Sequence, residues 1–212
     1  MAVLPMFPLG TTLVPGGVLP LHVFEERYRQ MVRDCLADVP EFGVVLIERG
    51  SEVGGGDART DIGTVARIVE AMELPDGRWA LTTLGVRRIR VRAWLPDDPY
   101  PVADVDDWPD PAPGPALADL VPPVVATLRR TLALAAEAGL QTAPATTELA
   151  EDPVVAAQQA VALAPIGPHD RHRLLAAPDA EARLAALAEV LDDAAAVLAA
   201  RLAGPPDAPH PG

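Results

Sequence analysis

The run Trp108-Pro-Asp-Pro-Ala-Pro-Gly-Pro115 divides the chain into two parts that follow different rules. Proline at every second position fixes φ and removes backbone donors, so neither a helix nor a sheet ladder can run through it. Before it, apolar residues fall in short runs rich in β-branched side chains and separated by turn signals. After it, Ala and Leu dominate and recur at helical spacing. The expected fold is α+β: a β part over residues 1–108, a stiff connector over 109–115, a helical part over 116–204 and a disordered tail over 205–212.

Within the β part, Val3–Phe7 and Val18–Val23 are apolar runs separated by the turn residues Pro15, Gly16 and Gly17. Residues 25–36 predict a helix, because Tyr28, Met31, Val32 and Cys35 share one face. Glu25 and Glu26 begin it, where negative charge suits the helix dipole. Phe42–Glu48 is apolar on both faces and reads as a central strand. A loop is expected over 50–61, around Gly54, Gly55 and Gly56. Residues 62–74 and 78–84 predict a hairpin through Pro75-Asp76-Gly77. Gly85 breaks that pattern, and residues 86–95 resume it with Arg87, Arg88, Arg90 and Arg92 interleaved with apolar residues, which from Arg88 onward predicts a strand with one wet face. Tyr100–Val105 is expected to add a last edge strand. About six strands at short spacing, with one helix, predict a small closed or half-closed barrel.

In the helical part, Leu117, Val121, Val124, Leu128 and Ala135 share a face of a helix that ends at Gly139. Pro122 and Pro123 either kink that helix or mark its start. Asp152-Pro153 is an N-cap followed by proline, opening a helix to Ala164. A short helix spans His169–Ala176, and Asp179 caps a long one to Ala203, with Leu184, Leu187, Leu191 and Leu198 as its stripe.

Composition excludes most chemistry. All 17 basic residues are Arg, so a phosphate-binding loop ending in Gly-Lys and a Ser-Lys hydrolase are both ruled out. Ser51 has no histidine near it in sequence and reads as a loop residue. The single Cys35 allows neither an intrachain disulfide nor a multi-cysteine zinc site, and its helical context predicts a core thiol. His169 and His172 lack a third ligand, and His22 reads as a hydrogen-bonded structural histidine. The acidic series Asp97, Asp98, Asp104, Asp106, Asp107 and Asp110 does not match a calcium loop and is expected to be a solvated edge. No catalytic, cofactor or metal site is therefore expected. A net charge of −13 argues against polyanionic partners. The one nucleic-acid alternative is the Arg ladder at Arg87, Arg88, Arg90 and Arg92, with Trp79 and Trp94 nearby. The N-terminus lacks a signal-peptide pattern and no run is long enough to span a membrane, so a cytoplasmic protein is expected.

Three segments carry a resemblance. Pro5-Met-Phe-Pro-Leu9 followed by Pro15-Gly-Gly-Val-Leu-Pro-Leu-His-Val-Phe-Glu-Glu-Arg-Tyr28 resembles the N-terminal substrate-recognition domain of ATP-dependent Lon proteases. Ile62-Gly-Thr-Val-Ala-Arg-Ile-Val69, with Leu84-Gly-Val-Arg-Arg-Ile89, is similar to its paired strands. Ala164-Pro-Ile-Gly-Pro-His-Asp-Arg-His-Arg-Leu-Leu175 is similar to its helical segment. The resemblance covers roughly residues 3–200. It implies a pseudo-barrel like that of RNA-modification (PUA) domains, followed by a helical bundle. It also implies a solitary substrate-binding protein, without the ATPase and peptidase domains, that takes unfolded polypeptide or a specific protein partner. The expected binding surface is the seam between the first strands and the first helix: Phe7, Leu9, Leu21, Phe24 and Tyr28. Glu25 and Arg27 are expected to tie the strand-to-helix turn together.

Overall fold

The computed structural model describes residues 2–49 and 58–204. Alternating apolar runs become β1 (Ala2–Leu9), β2 (Val18–Val23), β3 (Glu41–Arg49), β4 (Ala58–Glu73), β5 (Trp79–Leu95) and β6 (Val102–Asp107). The periodic segment between β2 and β3 becomes α1 (Glu26–Ala37). The strand order is β2-β5-β4-β3-β1-β6, and β6 also pairs with β5. Five strands thus close into a ring, while β2 stays outside it, paired with β5 alone. Only β1 and β3 are parallel, as a connection long enough to carry β2 and α1 allows.

Three expectations need correction. Gly85 does not end a strand: the runs on either side of it form one strand, with Val86 bulged between the pairs Val65–Arg87 and Ala66–Gly85. The last strand is not an edge, because β6 lies between β1 and β5 and both neighbours bond to it. The loop expected over 50–61 gives way to β4 at Ala58. Its remaining residues 50–57, with Ser51 and the three glycines, lie outside the described residues, as does the tail 205–212.

The pattern break at Gly85 has a physical cause. Here the β1–β2 loop crosses β5: the Gly16 N–H donates to Gly85 O and the Gly85 N–H to Gly17 O, both at 2.8 Å. A Cβ on Gly85 would lie 2.2 Å from the Val14 carbonyl oxygen. Gly85→Ala is expected to push the loop off the sheet and cost about 2 kcal/mol, read as a lower urea midpoint at unchanged slope.

The ring is filled by Met6, Val45, Val65, Ile89, Ala103 and Val105, so every one of its strands contributes. On its outside, α1 lays Tyr28, Met31, Val32 and Cys35 against Phe7, Phe42, Val44 and Leu81. Cys35 is a core thiol that donates to Glu41 O at 3.4 Å; burial first, then Asp34, pushes it up to about 12.

After the connector come α2 (Leu117–Glu137), α3 (Pro153–Leu163), α4 (Pro168–Leu175) and α5 (Ala180–Ala203). Pro122 and Pro123 lie inside α2. Asp152 accepts from the Val154 and Val155 N–H groups, and Asp179 from that of Ala182, so both expected caps form. Leu128 and Leu132 of α2 share a core with Leu174 and Leu175 of α4 and Leu184, Leu187 and Leu191 of α5. Val14 from the β1–β2 loop enters this core, and the Thr12 hydroxyl donates to Pro168 O at 2.8 Å. These contacts dock the loop on the α3–α4 junction.

Candidate functional site

Three of the four ladder arginines are paired with carboxylates within the fold, while Arg90 is exposed. Arg87 Nη1 donates to Glu41 at 2.6 Å and its Nε to Asp107 at 2.9 Å, and Arg92 pairs with Asp106. Arg90 lies over the Trp108 ring, 4.5 Å from its centroid. Arg88 is only 4% exposed, where the sequence predicted a wet strand face. It stacks on Trp108, pairs with Asp110, and donates to the Leu175 and Ala177 carbonyls at 2.8 and 2.7 Å. Arg183 of α5 meets the same carboxylate through Nη1 and Nη2, both at 2.7 Å, and donates to Leu174 O through Nε. The connector is therefore a clamp rather than a spacer. Asp106, Asp107 and Asp110 each pair with an arginine; Asp110 is drawn in from the expected solvated edge, while Asp97, Asp98 and Asp107 stay exposed on it.

The expected seam divides in two. Phe7 and Tyr28 stack at 4.2 Å between centroids, and Leu9 is buried with them. Burial removes these three from any binding surface. Leu21 is half-buried against that core, and Phe24, one residue beyond β2, is 57% exposed. Arg27 bonds Glu25 at 3.2 Å and lies over the Tyr28 ring, holding the strand-to-helix turn.

What remains accessible is β2 itself. The pairs His22–Ala80–Met72 and Pro20–Thr82–Glu70 place these side chains on one face of the β2-β5-β4 layer, and Val18 shares it. Val18 and Met72 are 65% and 59% exposed. His22 is exposed here, not the bonded structural histidine expected. A groove of about 450 Å³ lies over Pro20, His22, Met72, Ala80 and Thr82. A second cleft, of about 460 Å³, continues from Val18 and Leu19 to Leu163, Ile166 and Arg171 at the α3–α4 junction. The two adjoin along β2, whose six residues span roughly 20 Å.

Proline 20 sits mid-strand on this lone edge, where its missing N–H costs no ladder bond and discourages pairing with another strand. A partner would be held by side chains and grooves more than by strand addition. The sequence carried one signal for this surface, a proline and a histidine alternating with the inward Leu19, Leu21 and Val23. Met72 and Arg171 carried none, because only strand pairing and helix docking bring them to β2. Among the described residues no group of three His, Cys, Asp or Glu side chains could hold a metal, and no helix is long and apolar enough to cross a membrane.

A mixed α+β fold with a six-stranded sheet and five helices among the described residues matches that of Lon N-terminal domains. The Lon N-terminal domain protein from Xanthomonas campestris superposes with a TM-score of 0.63 at 29% identity, over 88% of this chain and 97% of that one. The N-terminal domain of Mycobacterium avium complex Lon protease superposes at 0.66 over 91% and 99%; at 18% identity it speaks to the fold alone. The model of the ATP-dependent protease La (LON) substrate-binding domain matches residues 3–193, and the chain belongs to that family. Lon protease 2 of Myxococcus xanthus is 37% identical over 107 residues, 49% of this chain. Lon protease of Anaeromyxobacter dehalogenans is 34% identical over 108 residues, 50% of this chain. The match spans 13% of the length of each of these relatives.

Proposed function

We propose that the chain is a non-enzymatic binding module for unfolded or extended polypeptide, built on a PUA-like pseudo-barrel and a helical bundle. In this reading it acts in the cytoplasm. The observation that carries the proposal is the accessible β2 face, where Val18, Phe24 and Met72 stand in water beside two grooves. Apolar side chains concentrated around grooves mark interaction sites in soluble proteins. Family membership supports polypeptide as the class of partner. Nucleic acid is the poorer reading, since phosphates would have to displace the carboxylates from Arg87 and Arg92, Arg88 is out of reach, and Arg90 is left as an exposed ladder cation on an acidic chain.

Val18→Asp and Met72→Asp should each leave the fold intact and weaken binding to a labelled, permanently unfolded polypeptide by about tenfold. Fluorescence anisotropy at low and high salt is the measurement. Apolar docking should persist at high salt, whereas phosphate-type binding should collapse. Unchanged affinity in both variants would move the site elsewhere.

A further inference from the structure

Arg171 stands apart from the other enclosed arginines. Arg27, Arg29, Arg33, Arg59, Arg87, Arg88 and Arg183 are buried or half-buried, and each has a carboxylate within 3.8 Å. Arg171 is half-buried and, among the described residues, has none. Its Nη1 donates to Ala162 O at 3.0 Å and its Nη2 to Ala164 O at 2.7 Å and to Ile166 O at 3.4 Å. These carbonyls lie at and just beyond the end of α3 and fix the guanidinium in place. They leave its Nε–H without an acceptor among the described residues and its charge unbalanced by a counter-ion. Burial pushes the Arg171 pKa down, so the cation is held at a cost that an anion would offset.

The position of this charge matters as much as its presence. Arg171 lines the cleft that begins at Val18, and it also lines a second cleft of about 460 Å³ on the far side of the α3–α4 junction, beside Leu140 and Gln141. A track along β2, where Val18, Pro20 and Met72 stand beside His22, Thr82 and Glu70, thus ends at a preorganised cation. The chain as a whole is acidic, so the attraction is local.

We propose that Arg171 receives the C-terminal carboxylate of a polypeptide whose last residues lie along β2. The proposal rests on the polypeptide-binding reading above and adds an end-specificity to it. A terminal carboxylate is the occupant that fits, because the cation lies at one end of the track, and along the rest of it Val18, Pro20 and Met72 meet side chains while Glu70 discourages a carboxylate at mid-track. A main-chain carboxylate also leaves every side chain free to meet the Val18 and Met72 surface.

The test uses the full chain and three N-terminally labelled forms of one apolar decapeptide: the free acid, the C-terminal amide, and the amide with an internal Asp near its end. Anisotropy should give the acid about tenfold tighter binding than the amide, with the Asp-containing amide close to the plain amide. Arg171→Gln should reduce the preference to less than about twofold without weakening the amide. Because that change can loosen the end of α3, Thr11→Asp is the second variant. Thr11 is exposed on the rim of the same cleft, and a carboxylate there should repel the acid selectively. A preference that survives both variants overturns the proposal. Equal binding of the acid and the Asp-containing amide overturns its end-specificity and makes Arg171 a reader of side-chain carboxylates. If neither acid nor amide binds the wild type, or Val18→Asp affects neither, the polypeptide-binding reading falls and this inference with it.

Discussion

Asp110→Ala should destabilise the protein by about 3–5 kcal/mol, measured by urea denaturation at neutral pH. Its carboxylate is the one acidic group shared by Arg88 and Arg183, whose side chains are 4% and 7% exposed. Removing it leaves two guanidiniums close together and out of water, so the loss far exceeds that of a surface pair. The pair Arg130–Asp192, 61% and 64% exposed, is the internal control, and Asp192→Ala should cost less than about 1 kcal/mol. The effect should also depend on pH. Burial on its own would raise the Asp110 carboxyl, but hydrogen bonds and charge from Arg183 and Arg88 outweigh it and hold it below its ordinary value of 3.8. A folded-state pKa below the unfolded one contributes stability above pH 3.8 that is lost as pH falls through the folded value. The gap between wild type and Asp110→Ala should therefore be full at neutral pH and narrow in acid.

Phe7→Ala and Phe24→Ala should give opposite results, although the sequence placed both residues in one seam. Phe7 is 7% exposed, stacked on Tyr28 and 6.0 Å from the Phe42 ring centroid. Truncating it leaves a cavity against α1 and should cost about 3–5 kcal/mol. Phe24 is 57% exposed, and its loss should change stability by about 0.5 kcal/mol or less. Polypeptide binding should fall in Phe24→Ala at unchanged stability. Phe7→Ala, measured well below its unfolding midpoint, should bind as the wild type does. Equal binding losses in the two folded variants would return Phe7 and Tyr28 to the surface.

The strands and helices were legible because each depends on residues close in sequence. Tyr28, Met31, Val32 and Cys35 repeat at helical spacing, and Asp152 and Asp179 precede the helices they cap. Pairing was not legible. The basic series 87–92 and the acidic series 104–110 were each visible, but their union follows from β5 lying beside β6, which closes the ring. An Arg alternating with apolar residues reads as a wet face unless a second layer covers it, and Arg88 is covered by the α4–α5 turn and Trp108. The seam failed for a similar reason: apolar residues flanking a turn do not reveal which of them the helix will cover. The resemblance to Lon N-terminal domains identified the family, but the accessible side chains had to be read from the packing.

Closure of the ring without β2 separates two mechanical roles. Each of the five ring strands has a neighbour on both sides, and β5 has β2 as a third, so none can shift without breaking at least two ladders, and together they form a frame. Strand β2 has one neighbour and is followed directly by the turn at Phe24 and Glu25. A small change in its tilt disturbs a single ladder and the packing of Leu19, Leu21 and Val23, and leaves the filled ring untouched. If β2 receives extended chains as proposed, they meet the strand held by the fewest ladders in the sheet.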